Sequence, residues 1–364
     1  MGGVSLDAAG QAAWAAMRAQ PTSGLDEFDL IRAEEMMLGY HARWVDETAA
    51  AYEVLAVESE FQEPLINPDT RAPSRTFQRG GKLDAVVRER ATGRTLVVEH
   101  KTTSEPIDAG SVYWRRLALD PQVSTYLASH PEHSACLYDV LGKVAMEPLK
   151  ATPTEARKYT KERIDKRTGE VLEASRLYAT QRDVDETPAE YRARLRAHIT
   201  ENLATLYRRG EVVRLPSEMA EAAYDDWQTA RAIRDAQLAA RWPRNADSCV
   251  RYRRLCSYFS LCTNASSPDN TLEWATERAH RELSAGTRHL PLLTASSART
   301  FRRCAREYHW RYEREIIPAK HDAHALSFGT LVHAGLEAWW LALAAHRATQ
   351  ATNNTATSKE HAAA

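Results

Sequence analysis

The sequence predicts an α/β protein, a mixed central sheet flanked by helices with an additional helical, cysteine-bearing part. Three observations predict it. Residues 52–65, 76–88 and 95–101 are β-rich runs separated only by turn-forming stretches, Asn67-Pro-Asp-Thr-Arg-Ala-Pro73 and Ala91-Thr-Gly-Arg94. In 26–49, by contrast, Leu30, Ile31, Met36, Met37, Tyr40 and Trp44 recur at helical spacing. Leu96 to Val98 is uniformly apolar, as in a strand covered on both faces.

Taken in order, a short helix is expected over 8–18 and a longer one over 26–49. The first two strands read as a hairpin and the third as the central strand. Asp120 before Pro121 supplies an N-cap and a first-turn proline, so a helix runs over 121–129, and 135–140 is a fourth strand. From 154 to 244 charge dominates. A hairpin at Asp165-Lys-Arg-Thr-Gly-Glu170 precedes helices over 189–209 and 217–241, which should cover the sheet rather than extend it. A polar stretch over 263–270, a weakly helical segment and a break over 286–291 follow. Final helices are expected over 296–314 and 325–347, joined by a loop at Pro318, and 348–364 should be disordered. Residues 1–285 then form a core whose last part carries three cysteines, and 286–347 packs on the same core.

With 364 residues, 43% of them hydrophobic, the chain has ample material for a globular core. Lys plus Arg (48) nearly cancels Asp plus Glu (49), so a nucleic-acid surface must come from local clusters. No apolar run reaches the roughly 18 residues of a membrane helix, and the N-terminus lacks the pattern of a secretory signal. A cytoplasmic protein is expected. Of the five cysteines, Cys249, Cys256 and Cys262 crowd into fourteen residues and need a fourth partner, which argues for metal or cluster ligation over disulfides. Cys136 reads as core. Beyond His100 and His333, the thirteen histidines form no pattern.

The chemistry concentrates in Gly81-Lys-Leu-Asp84 followed by Val97-Val-Glu99-His-Lys101. Residues two apart on a strand share a face, so Glu99 and Lys101 project together and Asp84 on the neighbouring strand can meet them. Two carboxylates with open positions suit Mg²⁺ or Mn²⁺, and Lys101 can orient water or neutralise a phosphate transition state. An ordinary salt bridge between Glu99 and Lys101 is the bland alternative. Glu58 and Glu337 read as supporting residues or simple ion-pair partners. Arg241, Arg244, Arg251, Arg253 and Arg254 flank the cysteines, and Arg299, Arg302, Arg303 and Arg306 flank Cys304, in patterns that suit phosphate contact.

Asp84, Glu99-His-Lys101 and Gln122-Val-Ser-Thr-Tyr126 together resemble the PD-(D/E)XK nucleases, in particular the RecB-like branch that includes AddB and CRISPR-associated exonucleases. The resemblance implies a restriction-endonuclease-like core. It also implies that Asp84 and Glu99 ligate metal, with the His100 carbonyl beside them, that Lys101 serves the attacking water, and that Gln122 and Tyr126 position DNA. Phe328-Gly-Thr-Leu-Val-His333 and the segment 296–304 are similar to that family's opening segment, which implies His333 as a metal ligand and Cys304 as the fourth ligand of an iron–sulfur (4Fe–4S) cluster with Cys249, Cys256 and Cys262. Read from about 288 to the tail and then from 1 to 285, the motifs follow the family order, as in a circular permutation; a truncated second copy is the other arrangement. The interval from Cys249 to Cys256 is longer than the family's, so a four-cysteine zinc site or free thiols stay open. The implied activity is DNA cleavage, as an exonuclease acting on single-stranded or duplex ends, in recombination, repair or replication, with recombination, phage or CRISPR-associated partners. A non-cleaving iron–sulfur DNA-binding module and an RNA nuclease are the alternatives.

Overall fold

The computed structural model describes residues 6–21, 24–251, 253–281, 283, 290–319 and 327–345. Helix α1 (Leu6–Arg18) leads into α2 (Glu27–Ala51), which starts at a capping box in which Asp26 accepts from the Asp29 N–H and Asp29 accepts in return. Strands β1 (Tyr52–Ile66), β2 (Pro73–Glu89) and β3 (Thr95–Thr103) follow as an antiparallel meander. After the short helix α3 (Val112–Arg116), α4 (Pro121–Ser129) begins where the Asp120 side chain accepts from the Gln122 N–H, and it returns the chain to β4 (Ala135–Gly142), parallel to β3. Expectations for these elements hold, with ends displaced by a few residues, except for α3, which the sequence reading does not predict.

Beyond β4 an exposed hairpin, β5 (Arg163–Ile164) with β6 (Val171–Glu173), precedes α5 (Pro188–Glu201) and α6 (Leu203–Leu206). Here the structure corrects the sequence. The helix expected over 189–209 stops at Glu201, and β7 (Tyr207–Val212) joins the sheet antiparallel to β4, so this region extends the sheet as well as covering it. The strand is camouflaged by its charge. Arg209 is buried because Asp139 on β4 pairs with it at 2.9 Å, and Gly210 leaves room for the Trp114 ring, which a Cβ there would meet at 2.8 Å. The sheet order is β1-β2-β3-β4-β7, with β3 in the middle.

Helix α7 (Pro216–Ala239) crosses toward the cysteine-bearing part, where β8 (Val250–Arg251), β9 (Arg254–Leu255), α8 (Phe259–Cys262) and β10 (Trp274–Thr276) are all short. The segment expected to be weakly helical supplies β10. Strand β11 (Leu292–Leu293) adds to the outer part of β2 in parallel. The expected helix over 296–314 is broken: α9 (Ala295–Arg303) ends at Cys304, which is extended (φ −160°, ψ 111°), before α10 (Ala305–Tyr308) and a π-helical turn, His309–Glu313. Strand β12 (Ile316–Pro318) pairs with β10, and a final helix, α11, spans 327–345. Most of the expected break over 286–291 and all of the expected tail over 348–364 lie outside the described residues.

Two apolar layers sandwich the sheet. On one face α1, α2, α5 and α11 bury Met17, Met36, Tyr40, Leu195, Trp339 and Trp340 against β2–β4; on the other, α3 and α4 cover Val97, Cys136 and Tyr138. Gly335 of α11 lies so close to α1 that a Cβ would meet the Met17 sulfur at 2.8 Å. The C-terminal helix therefore belongs to the same packed core as the N-terminal helices. The result is a mixed α/β architecture consistent with a restriction-endonuclease-like fold.

Candidate metal centre and nuclease site

The β1–β2 pairing positions the first acids. A one-residue irregularity between Val54 and Ala56 shifts the register, so Val57 faces Ala85, Ser59 faces Leu83, and Glu58 lies opposite Asp84. Glu58 has φ +55°, a left-handed conformation uncommon for a residue with a side chain. Close approach explains Gly81 on the partner strand, where a Cβ would come within 2.7 Å of the Phe61 ring. On β3, period-two alternation aims Glu99 and Lys101 into the same cleft of about 460 Å³, which Asp84, His100, Gln122, Tyr126, Arg299 and His333 also line.

His333 comes from α11, 275 residues beyond Glu58, yet its Nε2 is 3.2 Å from Glu58 Oε1 and 3.7 Å from Asp84 Oδ1. Glu58, Asp84 and His333 each offer a ligand atom, all within 4.8 Å of one another. Glu99 is next to this trio rather than in it. Its Oε1 accepts from Lys101 Nζ and, at 2.8 Å, from Gln122 Nε2, whereas its Oε2 is buried and has no hydrogen-bond partner among the described residues. Thus Asp84 and His333 meet as expected, and Glu58 supplies a carboxylate that the sequence ranked only as supporting. Its place depends on a register shift that no local pattern announces.

Gln122 and Tyr126 reach the cleft, but their polar atoms serve its own side chains. The Gln122 amide donates to Glu99 and, at 2.6 Å, to the Tyr126 hydroxyl, and it accepts from Lys101 Nζ at 3.1 Å. Tyr126 in turn donates to the Lys82 carbonyl at 2.9 Å. His100 donates its backbone N–H to Asp84 Oδ2 at 2.7 Å, and its ring sits behind the site between Asp84 (3.5 Å) and Asp139 (3.8 Å). Asp139 accepts from the Tyr40 hydroxyl at 2.6 Å and pairs with Arg209, so a buried polar layer backs the acids.

These contacts set the charge states. Burial pushes Asp84 up, but the hydrogen bond from His100 and the charges of His100, His333 and Lys101 outweigh it and hold the carboxyl at about 2. Burial and the Asp84 charge raise Glu99 to about 6 despite Lys101. The hydrogen bond to Glu58, with the Asp84 and Glu58 charges, overcomes burial and lifts His333 to about 9. For Lys101 burial is outweighed by Glu99 and Asp84, so its ammonium is held well above its ordinary range and cannot act as a base. Hard oxygen donors, one imidazole and an unsatisfied carboxylate oxygen fit a divalent cation such as Mg²⁺ or Mn²⁺.

A family model of the PD-(D/E)XK nuclease superfamily matches residues 292–364. That match covers the segment delivering His333 and points to a nuclease. No curated protein matches the chain. No helix among the described residues is long and apolar enough to cross a membrane.

The four expected cluster ligands lie in one neighbourhood but not in one tight group. Cys256 donates its backbone N–H to the Cys249 carbonyl at 2.7 Å, Asn245 and Ser248 both donate to the Arg303 carbonyl beside Cys304, and Arg244 donates to the Cys262 carbonyl. All four thiols are free, and among the described residues no three of their sulfurs lie within 4.8 Å of one another. Of the arginines expected on phosphate, Arg302 pairs with Asp226 and Arg303 with Glu307, while Arg306 donates to the Trp242 carbonyl. Only Arg299 of that group lines the cleft, beside Asp120 at 3.3 Å.

Proposed function

We propose that the protein is a metal-dependent DNA nuclease, an exonuclease acting on single-stranded or duplex DNA ends in recombination, repair or replication. The observation that carries this reading is the meeting of His333 from the far end of the chain with Glu58 and Asp84, next to Glu99 and Lys101, in one cleft. Asp84 and His333, with Glu58, would hold the cation; Glu99 and the His100 carbonyl would complete its surroundings. When bound, Mg²⁺ or Mn²⁺ would acidify water and neutralise charge on the scissile phosphate. Lys101, kept as an ammonium, donates toward the attacking water and the developing phosphate charge. Gln122 locks Glu99 and Lys101 in place, Tyr126 locks Gln122, and Arg299 offers a cation to the DNA backbone.

The motif order favours a circularly permuted member of the RecB-like branch, and the packing of Gly335 on Met17 supports it, since α11 completes a core with α1. Cys249, Cys256, Cys262 and Cys304 are proposed to hold a structural 4Fe–4S cluster. Their spread exceeds the sulfur separation of about 3.8 Å around one tetrahedral zinc ion. Trp310 is compatible with the larger group: its buried indole N–H is directed at the Cys262 sulfur, where it can donate to a thiolate ligand of the cluster.

The test is Mg²⁺- and Mn²⁺-dependent degradation of end-labelled linear DNA against covalently closed circles, with Glu99→Ala as control. Loss of linear DNA, sparing of circles and inactivity of the variant are expected. Intact binding without cleavage would overturn the reading in favour of a non-cleaving module. Iron and acid-labile sulfide in anaerobically purified protein check the cluster.

A further inference from the structure

His130-Pro-Glu132-His133 links α4 to β4 at the end of the sheet where β3 starts, away from the cleft. Thr95 opens β3 four residues before Glu99, about 13 Å along the strand. The three side chains converge. Glu132 Oε1 is 3.3 Å from His130 Nδ1 and 3.8 Å from His133 Nε2, and the three ligand atoms lie within 4.8 Å of one another.

Hydrogen-bond logic fixes which atom of His133 faces the carboxylate. The Thr95 hydroxyl spends its single proton on the Glu132 carbonyl at 2.9 Å. It must therefore accept from His133 Nδ1, 3.1 Å away, which makes Nδ1 the protonated nitrogen of the neutral ring and leaves a lone pair on Nε2. Burial of His133 disfavours the charged ring, and in the neutral ring that lone pair faces a carboxylate oxygen, a repulsion that a cation or a second ring proton between them relieves. An imidazole whose second nitrogen is tethered by a neighbouring oxygen is the usual preparation of a metal ligand. The rest of the loop is fastened as well: His133 N–H donates to the His130 carbonyl and Ser134 N–H to the Thr95 carbonyl, at 3.0 and 2.9 Å.

We propose that His130, Glu132 and His133 form a second metal site, for a zinc-class transition-metal ion with water as fourth ligand. Two imidazoles and one carboxylate are the donor set such ions favour over Mg²⁺. The ion would stiffen the α4–β4 turn, which Thr95 already ties to β3, and so steady the helix that carries Gln122 and Tyr126. The proposal stands independently of the nuclease reading.

Titrating the full-length protein with ZnCl₂ and CoCl₂ tests it. One Zn²⁺ equivalent is expected to persist in Asp84→Asn and Cys304→Ser but to weaken at least tenfold in Glu132→Gln and in His133→Gln. Bound Co²⁺ at this site should show visible bands without sulfur charge transfer in the near ultraviolet. Glu132 is exposed, so its variant keeps the fold; for the unaltered protein, imidazole ¹⁵N shifts give a second readout, with His133 Nε2 moving on Zn²⁺ addition while Nδ1 keeps its proton. Unchanged Zn²⁺ affinity in both variants, or an unmoved Nε2, would overturn the site.

Discussion

In the cleft, Asp84, Glu99 and Lys101 sit on strands of 17 and 9 residues, paired on both sides within the main sheet; around the cysteines the chain folds as two-residue strands and a four-residue helix. The cleft's carboxylates are already placed by backbone register and by the Gln122 and Tyr126 hydrogen bonds. Among the described residues the cysteine sulfurs are spread, with no three of them within 4.8 Å of one another. A site built on long strands is organised before any ion arrives, whereas one built on short loops needs its ligand to become rigid.

The sharpest break of that comparison is Glu99→Gln. It should lower Mg²⁺-dependent cleavage by on the order of 10³-fold while the thermal midpoint stays close to the parent's, because the side chain's shape and its contact with Gln122 survive. A collapse of the fold instead would mean that the cleft is not preorganised by the sheet. Next comes Cys304→Ser. Faster amide exchange is expected at Cys256, whose N–H bonds the Cys249 carbonyl, with β3 amides unchanged. Equal protection in parent and variant would show that the cysteine region is rigid without a ligand.

The pH dependence of divalent-cation binding sharpens the same contrast. A cation must displace the protons on its ligands, and Asp84, held at about 2, carries none at neutral pH. His333, raised to about 9, still does, so affinity should climb about tenfold per pH unit up to that value, and more steeply below about 6 if Glu99 also ligates. The sign for stability follows. His333 titrates above its ordinary 6.5 when folded, so it stabilises the metal-free protein below pH 6.5, and that contribution is lost as pH rises through about 9. Thermal melts of metal-free and Mn²⁺-loaded protein should diverge across that window; parallel curves would separate His333 from the metal site.

The meander, α4 and the Asp84, Glu99 and Lys101 cluster were legible because alternation, capping and strand spacing are local properties. What escaped depended on contacts between distant residues. Strand β7 hides behind an arginine whose charge Asp139 neutralises, and Glu58 reaches Asp84 through a register shift. The break at Cys304 interrupts a run that reads as continuous helix. His130 and His133 gained meaning only once Thr95, on another element, fixed a tautomer. His333 was recognised through the family resemblance, since nothing in its neighbourhood along the chain points toward β1.

The smallest expected effect on cleavage concerns the layer behind the acids. Asp139 Oδ2 accepts from Tyr40 and pairs with Arg209, while its Oδ1 and His100 Nε2 are both buried and have no hydrogen-bond partner among the described residues. His100 also holds Asp84 through its backbone N–H, so the ring and the carboxylate move as one unit. Asp139→Asn keeps the size of the side chain but leaves the buried Arg209 without its counter-charge, so the thermal midpoint should fall; where the variant is folded, a residue that only orients a ligand usually alters affinity rather than abolishing it. Metal affinity measured by Mn²⁺ titration should fall about tenfold, with cleavage at saturating Mn²⁺ nearly restored. If saturating metal fails to restore cleavage, Asp139 does more than orient its neighbours; if affinity is unchanged, β3 alone fixes Asp84 and the buried layer serves stability.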